Sequence, residues 1–474
     1  MLTESPHIEP DIIQGGMGIA VSSWKLAREV ATHGALGVVS GTAIDSVIAR
    51  RLQDGDADGS IRKAMRHFPN QQIVHEILEM YFIEGGKAQG LPYTLLPKIT
   101  VAPTCFATNL IVVSTFIEVW LAKEGHSGLV GINALQKIQM AIPAQIYGAI
   151  LAEVDYILMG AGIPSEVPSI IRDLSQNKVI TLPIDVASAK SKHFLKFDPH
   201  LIASLPHSPR LPKFLAIISS HALAAYLSRD DTTRPDGFVV EGFNAGGHNA
   251  PPRSKDSMGE DGQSKFTDID SADLSKVAKT GLPFWLAGGY GTPLGLAEAK
   301  KLGAVGIQVG SLFALAKESG LTDELRKKVT DLVVQDSMKV RTDPFASPTG
   351  FPFKIVQLDG TLSESELFRE RNRLCDLGYL RVPFERTNGS LGYRCPAEPL
   401  KTYTFKKGES KNAPVAHCLC NALMADVGLG QTRPDGYKEL PMLTLGSDLA
   451  GIKALSELHV AGWNSRDVLD FLRS

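Results

Sequence analysis

Residues 237–252 read GFVVEGFNAGGHNAPP, and this stretch decides how the rest of the sequence is interpreted. Its FVV run at 238–240 is apolar and largely β-branched, which is typical of a strand buried on both faces. Gly246 and Gly247 follow without side chains, so another molecule can approach the backbone closely. His248 comes directly after them. Because sites in parallel α/β folds form at the carboxyl ends of strands, this stretch predicts a functional site.

The start of the chain predicts a βαβ unit with parallel strands. A strand at Ile12 and Ile13 ends in QGGMG at 14–18, a helix spans 24–30, and a second strand spans 35–40. Two strands joined through a helix run in parallel, because a hairpin would need only a short turn.

Strand-like runs recur along the rest of the chain, with helix-length amphipathic segments between most of them, and residues 43–98 are predicted to be helical. The further predicted strands are 99–102, 156–159, 179–186, 214–219, 238–240, 284–287 and 305–309. Together these make nine strands, one more than an eight-stranded barrel needs. The run 179–186 is the expected extra strand, because it leads into 190–212, which is rich in Pro, His and Lys. We interpret about 180–212 as an inserted hairpin and loop.

The alternation of strands and helices predicts an α/β protein, with a (β/α)8 TIM barrel as the first choice and an open doubly wound sheet as the second. We assign residues 1–345 to the barrel, including the insertion at about 180–212. Residues 346–474 are assigned to a C-terminal extension, irregular and helical, that packs on the barrel.

Two strand–glycine–helix junctions late in the chain predict an anion site. FWLA at 284–287 runs into Gly288 and Gly289, and a second strand ends in Gly310 and Ser311. Backbone N–H groups at helix starts bind anions, and glycine lets the anion come close. The alternative is that these glycines only form tight turns between strand and helix. No GxGxxG fingerprint follows the first strand, which disfavours a Rossmann dinucleotide site.

Composition bounds the class of protein. The 474 residues are 43% hydrophobic and 21% charged, with a formal net charge of -2. That balance gives no support for nucleic acid or a membrane surface as partner. The N-terminal residues lack an export signal, and five cysteines do not suggest a disulfide framework. We therefore expect a cytoplasmic protein with a small-molecule substrate, and the sequence leaves a homodimer open.

The motifs QGGMG at 14–18, EGFNAGGH at 241–248, LAGGYGT at 286–292 and GIQVGSLF at 306–313 resemble the nitronate monooxygenase (2-nitropropane dioxygenase) family. The likeness covers roughly residues 8–350. Members of that family are FMN-dependent oxidoreductases on a TIM barrel, and the resemblance implies the same cofactor and fold here.

The resemblance also implies roles for single residues. His248 would be the catalytic base, for which an unperturbed pKa near 6.5 is suitable; its alternative is a loop histidine that caps a turn. Asn109 resembles the asparagine that the family places after the third strand. The residues implied to contact the cofactor are Gly16, Met17, Gly18, Asn109, Glu241, Gly246, Gly247, Gly288, Gly289, Gly310 and Ser311.

The sequence departs from the family pattern beside the histidine and in its additions. Asn244 stands where the family usually has glutamate, and 249–252 replace the usual Arg-Gly. The inserted hairpin and long tail are similar to the enoyl reductases that act in trans with polyketide and polyunsaturated fatty acid synthases. The first functional hypothesis is therefore nitronate monooxygenase-like oxidation of a small carbanionic substrate with oxygen.

Two other functions stay open. An NAD(P)H-dependent enoyl-thioester reductase would need cations for the nicotinamide phosphates, and the basic candidates are Arg253, Lys255, Lys190 and Lys192. A barrel that binds flavin or a phosphorylated ligand without turnover is the alternative from another class.

Four of the five cysteines lie in the C-terminal extension: Cys375, Cys395, Cys418 and Cys420. They are interpreted as packed apolar residues, with a four-thiolate metal site as the alternative, in which His417 could replace one thiolate. The absence of a CxxC pair disfavours metal, so none is predicted. Cys105 is expected at a strand end in the barrel mouth, either as a packed thiol or lining a pocket.

Overall fold

The computed structural model describes residues 9–205, 209–409 and 413–474. The expectation about an export signal rests largely on residues 1–8, which lie outside the described residues. The same holds for residues 206–208 of the predicted insertion.

The strands are β1 (Ile12–Gln14), β2 (Gly37–Ser40), β3 (Val130–Leu135), β4 (Tyr156–Gly160), β5 (Ile180–Ile184), β6 (His193–Phe197), β7 (Lys213–Ile218), β8 (Gly237–Glu241), β9 (Phe284–Ala287), β10 (Gly306–Val309), β11 (Val340–Asp343), β12 (Phe353–Val356), β13 (Val382–Glu385) and β14 (Leu391–Arg394).

The helices are α1 (Trp24–Thr32), α2 (Ile44–Gln53), α3 (Ser60–Met65), α4 (Gln71–Tyr81), α5 (Cys105–Lys123), α6 (Ile142–Leu151), α7 (Val167–Leu174), α8 (His221–Leu227), α9 (Leu274–Ala278), α10 (Pro293–Lys301), α11 (Ser311–Ala314), α12 (Asp323–Val334), α13 (Ser365–Glu370), α14 (Leu400–Phe405), α15 (Leu419–Asp426), α16 (Ala450–Leu458) and α17 (Ser465–Leu472).

Eight parallel strands form a nearly closed barrel. Their order in the sheet is β1-β10-β9-β8-β7-β4-β3-β2, and Ile13 bridges to Leu36 in parallel, which brings the two ends of the sheet together. The Gln14 N–H donates to the Leu36 carbonyl over 2.9 Å at this seam. The predicted (β/α)8 TIM barrel is therefore confirmed, and the doubly wound alternative is wrong.

The barrel strands are buried on both faces, as their apolar composition predicts. One set of side chains fills the barrel interior: Ile13, Leu36, Val38, Tyr156, Leu158, Leu215, Val239, Trp285 and Ala287. Their neighbours along the strands belong to the larger core that includes the surrounding helices. The interior is therefore packed below the carboxyl ends of the strands, and space for a ligand is left only above it.

The third barrel strand was assigned to the wrong segment. It is β3, whereas 99–102 forms no strand. The Ile99 carbonyl accepts from Arg381 over 3.0 Å, and the Val101 N–H donates to the Tyr393 hydroxyl over 2.9 Å. Side chains of the extension thus bind this backbone, although its β-branched residues favour a strand. β3 contains Gly131 and Asn133, whose low strand propensity concealed it.

The prediction of helix over 43–98 is correct only in its first part. Helices α2, α3 and α4 occupy Ile44 to Tyr81, and residues 82–104 contain neither helix nor strand. The segment 85–103 includes glycines and prolines, which break helices.

The predicted additions to the barrel are present. β5 and β6 pair antiparallel as a hairpin between α7 and β7, so the run 179–186 is indeed the strand outside the barrel. In the extension, α16 contacts α12, and α17 contacts α1 and α10. The antiparallel pair of β11 and β12 crosses the predicted boundary at 345/346. The division into two domains stays a prediction.

Helix α5 is long and apolar enough to cross a membrane by length and composition. However, 78% of its most apolar window is buried inside the protein. Its side chains pack against α6, α1 and α2, as in the core helix of a barrel.

We expect Trp285→Phe to lower the free energy of unfolding by about 1–3 kcal/mol. Trp285 is fully buried in the barrel interior, and its indole N–H donates to the Pro10 carbonyl over 2.6 Å. The substitution removes both volume and a hydrogen bond. Thermal and denaturant unfolding measure the loss, and Trp24→Phe, on α1, is the matched control with the smaller expected effect. Equal losses in the two variants would contradict the assigned role of Trp285.

Candidate functional site

A cavity of about 480 Å³ lies at the carboxyl ends of the barrel strands. This volume is within the range of small-molecule sites, roughly 300–1,000 Å³. Its wall contains nearly every residue that the sequence proposed for the site: Gly16, Met17, Gly18, Glu241, Gly246, Gly247, His248, Gly288, Gly289, Gly310 and Ser311. Residues more than 290 positions apart in sequence are thus brought into one wall. Of the residues that the sequence proposed, Asn109 is the one that this wall does not contain.

Asn109 does not lie where the sequence placed it. It is a buried residue within α5 and does not belong to the cavity wall. The prediction failed because it took 99–102, which precedes α5, as the third strand. The asparagine of the true third strand is Asn133, whose amide donates to the Gly16 carbonyl over 3.0 Å. Cys105 is likewise not at a strand end: it is the exposed first residue of α5.

The loop after β1 is held in shape by the Ser22 hydroxyl. It donates to the Gly15 carbonyl over 2.9 Å and accepts from the Met17 N–H over 2.9 Å. Gly16 passes so close to Asn133 that a Cβ would lie 2.3 Å from the Asn133 Cβ. The loop therefore presents backbone to the cavity, and a side chain at Gly16 would displace Asn133.

The loop after β8 is fixed by the C-terminal extension. The Gly247 carbonyl accepts from the Lys354 N–H over 2.9 Å, and the Asn249 N–H donates to the Pro352 carbonyl over 2.9 Å. From the other side, the Gly247 N–H donates to the Thr444 hydroxyl over 2.7 Å. These contacts fix the backbone on both sides of His248.

The His248 ring lies in the cavity wall against the extension. Its Nε2 is 2.7 Å from the Ser347 Oγ, and the ring packs edge-on against Phe353 with centroids 4.9 Å apart. Burial, assisted by the charge of Lys137, lowers the pKa of His248 to about 4. The ring is therefore neutral at neutral pH. The unperturbed value near 6.5 that the sequence suggested does not apply in this environment.

Glu241, at the end of β8, is a second titratable group in the same cavity. Burial raises the pKa of its carboxyl to about 7. Burial thus shifts the pKa values of Glu241 and His248 in opposite directions. A neutral base and a carboxyl that is partly protonated near pH 7 therefore line the same cavity. Such separation of pKa values is typical of paired acid and base groups.

The sequence interpretation missed that the extension closes the cavity. Wall residues from the extension include Phe351, Phe353, Leu423, Asp426, Leu443, Thr444, Leu445, Gly446, Asp448, Gly451 and Ile452. The Gly446 N–H donates to Ser311 Oγ over 2.9 Å, and a Cβ at Gly451 would lie 2.1 Å from the Gly291 carbonyl. The motif LTLGSDLAG at 443–451 was the available signal, since it repeats the pattern of an apolar run followed by glycine.

The two late glycine junctions meet at one side of the cavity. Gly288 has φ of +83°, and a Cβ there would lie 2.8 Å from the Gly242 carbonyl, so glycine is required. Helix α10 begins at Pro293 with a Thr292 cap, as predicted, while α11 has only four residues. Gly288, Gly289, Gly310 and Ser311 all line the cavity, but their role as a phosphate site stays a prediction.

The basic residues proposed for a nicotinamide landing site do not reach the cavity. The described wall of the cavity does not include Arg253, Lys255, Lys190 or Lys192. The Arg253 guanidinium donates to the Ile269 carbonyl over 2.7 Å and to the Ser219 carbonyl over 3.0 Å. The cation close to the site is Lys137, which interacts with His248 and lies over the Phe351 ring at 5.0 Å.

The cavity has unpaired polar atoms that suit a flavin ring. Asn133 Oδ1 and Gln308 Oε1 are buried without a hydrogen-bond partner among the described residues, and both residues line the cavity. Buried polar groups are normally paired, so these amides indicate a missing ligand. The pyrimidine edge of an isoalloxazine carries both N–H donors and carbonyl acceptors, which an amide can match. Together with the glycine walls, these residues fit the cofactor that the resemblance implies.

The sequence model of nitronate monooxygenase matches residues 213–344 of this chain. The matched segment contains His248 and both late glycine junctions, so the resemblance found in the sequence is confirmed. The match supports a flavin-type oxidoreductase.

One curated relative and two solved structures illustrate the wider similarity. The (3aS,4S,5R,7aS)-5-hydroxy-7a-methyl-1-oxo-octahydro-1H-indene-4-carboxyl-CoA dehydrogenase of Mycobacterium tuberculosis is 29% identical over 112 residues, which are 24% of this chain and 28% of that protein. FabK from Thermotoga maritima has a TM-score of 0.50 and 15% identity, covering 98% of this chain and 92% of its own. The enoyl reductase domain of MlnA from Bacillus amyloliquefaciens has a TM-score of 0.48 and 12% identity, covering 97% and 92%. At 15% identity, the likeness to FabK indicates a shared fold alone.

We expect Gln308→Met to weaken flavin binding by about fivefold, because the substitution would remove one hydrogen bond of about 1 kcal/mol to the ring. Its Oε1 has no partner in the part of the chain that the structure describes, so the melting temperature without flavin should change little. Titration of flavin-free protein with FMN measures the affinity. The control is Gln335→Met at an exposed position outside the cavity wall. Unchanged affinity in Gln308→Met would show that the amide does not contact the ring.

Proposed function

We propose, from the nitronate monooxygenase match of residues 213–344, that the protein is an FMN-dependent oxidoreductase that oxidises a small carbanionic substrate with oxygen. The observation that carries the proposal is a neutral histidine, His248, in the wall of a cavity built from glycine loops and unpaired amides. Gly16, Met17, Asn133 and Gln308 would hold the flavin ring. The loops at Gly288 and at Gly310 would hold its phosphate.

FMN supplies the oxidation–reduction chemistry when it is bound, and the side chains supply proton transfer. In the tautomer that suits a base, His248 Nε2–H donates to Ser347 Oγ and Nδ1 keeps its lone pair. The Ser347 hydroxyl can in turn donate to Thr349 Oγ1 over 2.8 Å. These hydrogen bonds fix the tautomer and orientation of the ring, so Nδ1 could accept the proton from the carbon of the neutral substrate and thereby form the carbanion that is oxidised.

We expect His248→Asn to leave flavin bound and to slow oxidation of the neutral, protonated form of the substrate by about 10² to 10⁴-fold, because asparagine cannot accept the proton. Burial lowers the pKa of His248 to about 4, so the neutral base is present at neutral pH and is lost as pH falls through that value. The wild-type rate should therefore decline only toward pH 4, and the variant should lack this decline.

Anaerobic single-turnover kinetics over a pH series measure both effects for His248. The control variant is His200→Asn, an exposed histidine in the inserted segment, which should keep the wild-type rate and pH profile. A wild-type rate in His248→Asn would show that the ring is not the base and has a structural role only.

An NAD(P)H-dependent enoyl-thioester reductase is the second candidate, favoured by Glu241. After hydride transfer to the β-carbon, such an enzyme must protonate the α-carbon, and a neutral histidine of low pKa is a poor donor. Glu241, whose pKa burial raises to about 7, is a better one. The relative from Mycobacterium tuberculosis, a carboxyl-CoA dehydrogenase by name, also makes a thioester substrate reasonable. Lys137, whose charge acts on His248, is a candidate cation for an anionic substrate group.

Anaerobic mixing separates the two candidates. We expect alkyl nitronates to bleach the flavin absorbance within seconds and NADPH not to, because no dinucleotide fingerprint is present. Three results together would establish the reductase. NADPH but not nitronates would bleach the flavin, and an enoyl thioester would reoxidise it. The rate of this reoxidation would fall above pH 7 in the wild-type protein, and Glu241→Gln would remove this pH dependence. Protein that releases no FMN on denaturation and cannot be reconstituted would overturn both.

A further inference from the structure

A second cavity, of about 260 Å³, lies within the C-terminal extension. The residues of its described wall that matter for a ligand are Ser347, Thr349, Val382, Arg394, Tyr403 and Ala416. None of them belongs to the described wall of the cavity at the barrel mouth. Ser347, Tyr403 and Ala416 are buried, whereas Val382 is exposed. The second cavity therefore has a closed floor and an open rim, as a ligand site requires.

Hydrogen bonds between distant segments hold the wall of the second cavity in place. Arg373 Nη2 donates to the Ala416 carbonyl over 2.7 Å and to the Pro396 carbonyl over 3.4 Å. The His417 N–H donates to the Ala346 carbonyl over 2.8 Å, which joins two chain segments on either side of the cavity. The cavity is therefore formed by the fold, before any ligand is bound.

Arg394 is the charged residue of the described wall, and its guanidinium is fixed in place. Its Nη1 donates to the Lys406 carbonyl over 2.7 Å and also to the Lys407 carbonyl, and the guanidinium lies over the Phe384 ring at 4.9 Å. In the described part of the chain, no carboxylate forms an ion pair with this guanidinium. A cation that is oriented but not neutralised favours an anion in the cavity that it lines.

The carboxylates that neighbour this wall in sequence are bound elsewhere or lie outside it. Glu398 forms an ion pair with Lys406 over 2.6 Å. Glu385 accepts from a backbone N–H of the inserted hairpin, and Asp343 accepts from two backbone N–H groups of its own loop. Glu409 is exposed and lies outside the described wall. An anion that neutralises the guanidinium therefore has to come from a ligand.

Thr349 supplies a second donor to the cavity, and Ser347 connects it to His248. In the tautomer that suits a base, Ser347 Oγ accepts from His248 Nε2 over 2.7 Å, and its hydroxyl donates to Thr349 Oγ1 over 2.8 Å. The Thr349 hydroxyl then keeps its own proton to donate, and Thr349 lines the second cavity. A ligand oxygen that accepts this proton is linked through two hydroxyl groups to the imidazole.

The wall also determines the chemical class of the ligand. A guanidinium binds a planar carboxylate through two parallel hydrogen bonds. The rest of the described wall is largely apolar, with surface from Pro348, Val382, Pro396, Tyr403 and Ala416. It contains no second cation, which a phosphate dianion would favour. The volume lies below the range for drug-sized ligands, roughly 300–1,000 Å³, so a small carboxylate with an apolar body fits best.

We propose that the second cavity binds a small organic carboxylate, with its oxygens on Arg394 and Thr349. The bound anion makes His248 a stronger base. It accepts from the Thr349 hydroxyl, and because each hydrogen bond in a chain polarises the next, the bond from His248 Nε2 to Ser347 is strengthened. That bond stabilises the charge which the ring gains with a proton. The binding site does not depend on the function proposed for the barrel, whereas the effect on His248 rests on it.

Isothermal titration calorimetry of the full-length protein with benzoate tests the site, and benzamide is the neutral control ligand. We expect Arg394→Gln to weaken benzoate binding by about 10- to 100-fold, because a charge-assisted hydrogen bond is lost. Arg386→Gln, at an exposed position in the turn of the same hairpin, is the matched control and should bind as the wild type does. No binding by the wild type, equal binding of benzamide, or unchanged affinity in Arg394→Gln would overturn the proposal.

Val382→Trp covers the case in which Arg394→Gln does not fold, and thermal unfolding shows whether each variant is folded. Val382 is 44% exposed at the rim, so a larger side chain there narrows the cavity without disturbing the core. We expect this variant to lose benzoate binding. Wild-type affinity in Val382→Trp would show that benzoate binds elsewhere, against the proposal.

Anaerobic single-turnover reduction of the flavin by a neutral nitroalkane, with and without saturating benzoate, tests the effect on His248. We expect the wild-type rate to rise by about two- to fourfold and the Arg394→Gln rate to stay constant. An unchanged or lower wild-type rate would contradict the coupling. If no nitroalkane reduces the flavin in any variant, the function proposed for the barrel fails, while calorimetry still decides the carboxylate site.

Discussion

Backbone hydrogen bonds between the His248 loop and the C-terminal extension are the constraint on which the site depends. The loop at 244–249 contains two adjacent glycines, so by itself it has many accessible conformations. The Lys354 N–H and the Pro352 carbonyl bind it on one side, and the Ser447 N–H donates to the Asn244 carbonyl over 3.0 Å on the other. The barrel therefore positions the start of the loop, while the extension determines where the imidazole stands.

The C-terminal extension contributes to two separate regions of the protein. Its β12 and the segment at 443–452 complete the wall of the cavity, and its cysteine loops form a separate cluster next to α15. Helix α15 contributes to both, with thiols at its start and Leu423 and Asp426 in the cavity wall.

Burial is the common cause of the unusual titration of these groups. It lowers the pKa of His248 to about 4 and raises that of Glu241 to about 7, because a low-polarity wall disfavours the charged form of either group. For the thiols of Cys395 and Cys418, burial acts in the same direction as for Glu241 and raises the pKa.

Local patterns predicted those parts of the site that a strand and its following turn define alone. Seven of the eight barrel strands were assigned to the correct segments, and the glycine loops after β1, β8, β9 and β10 do meet at one cavity. The third strand was missed because 99–102 has the β-branched composition of a strand, whereas β3 contains glycine and asparagine. That single error also misplaced Asn109 and Cys105, and it concealed Asn133.

The sequence by itself determined the barrel, the positions of most site residues and the flavin-type resemblance. These depend on periodicity, on glycines at strand ends and on short motifs, all of which are local properties of the chain. Only the tertiary structure decided the state of His248, the closure of the cavity by 443–452 and the packing of Cys395 against Cys418. Each of these depends on contacts between segments far apart in sequence, whose partner cannot be identified from either segment alone. Burial and electrostatic shifts arise from such contacts, so they appear only when the chain is folded.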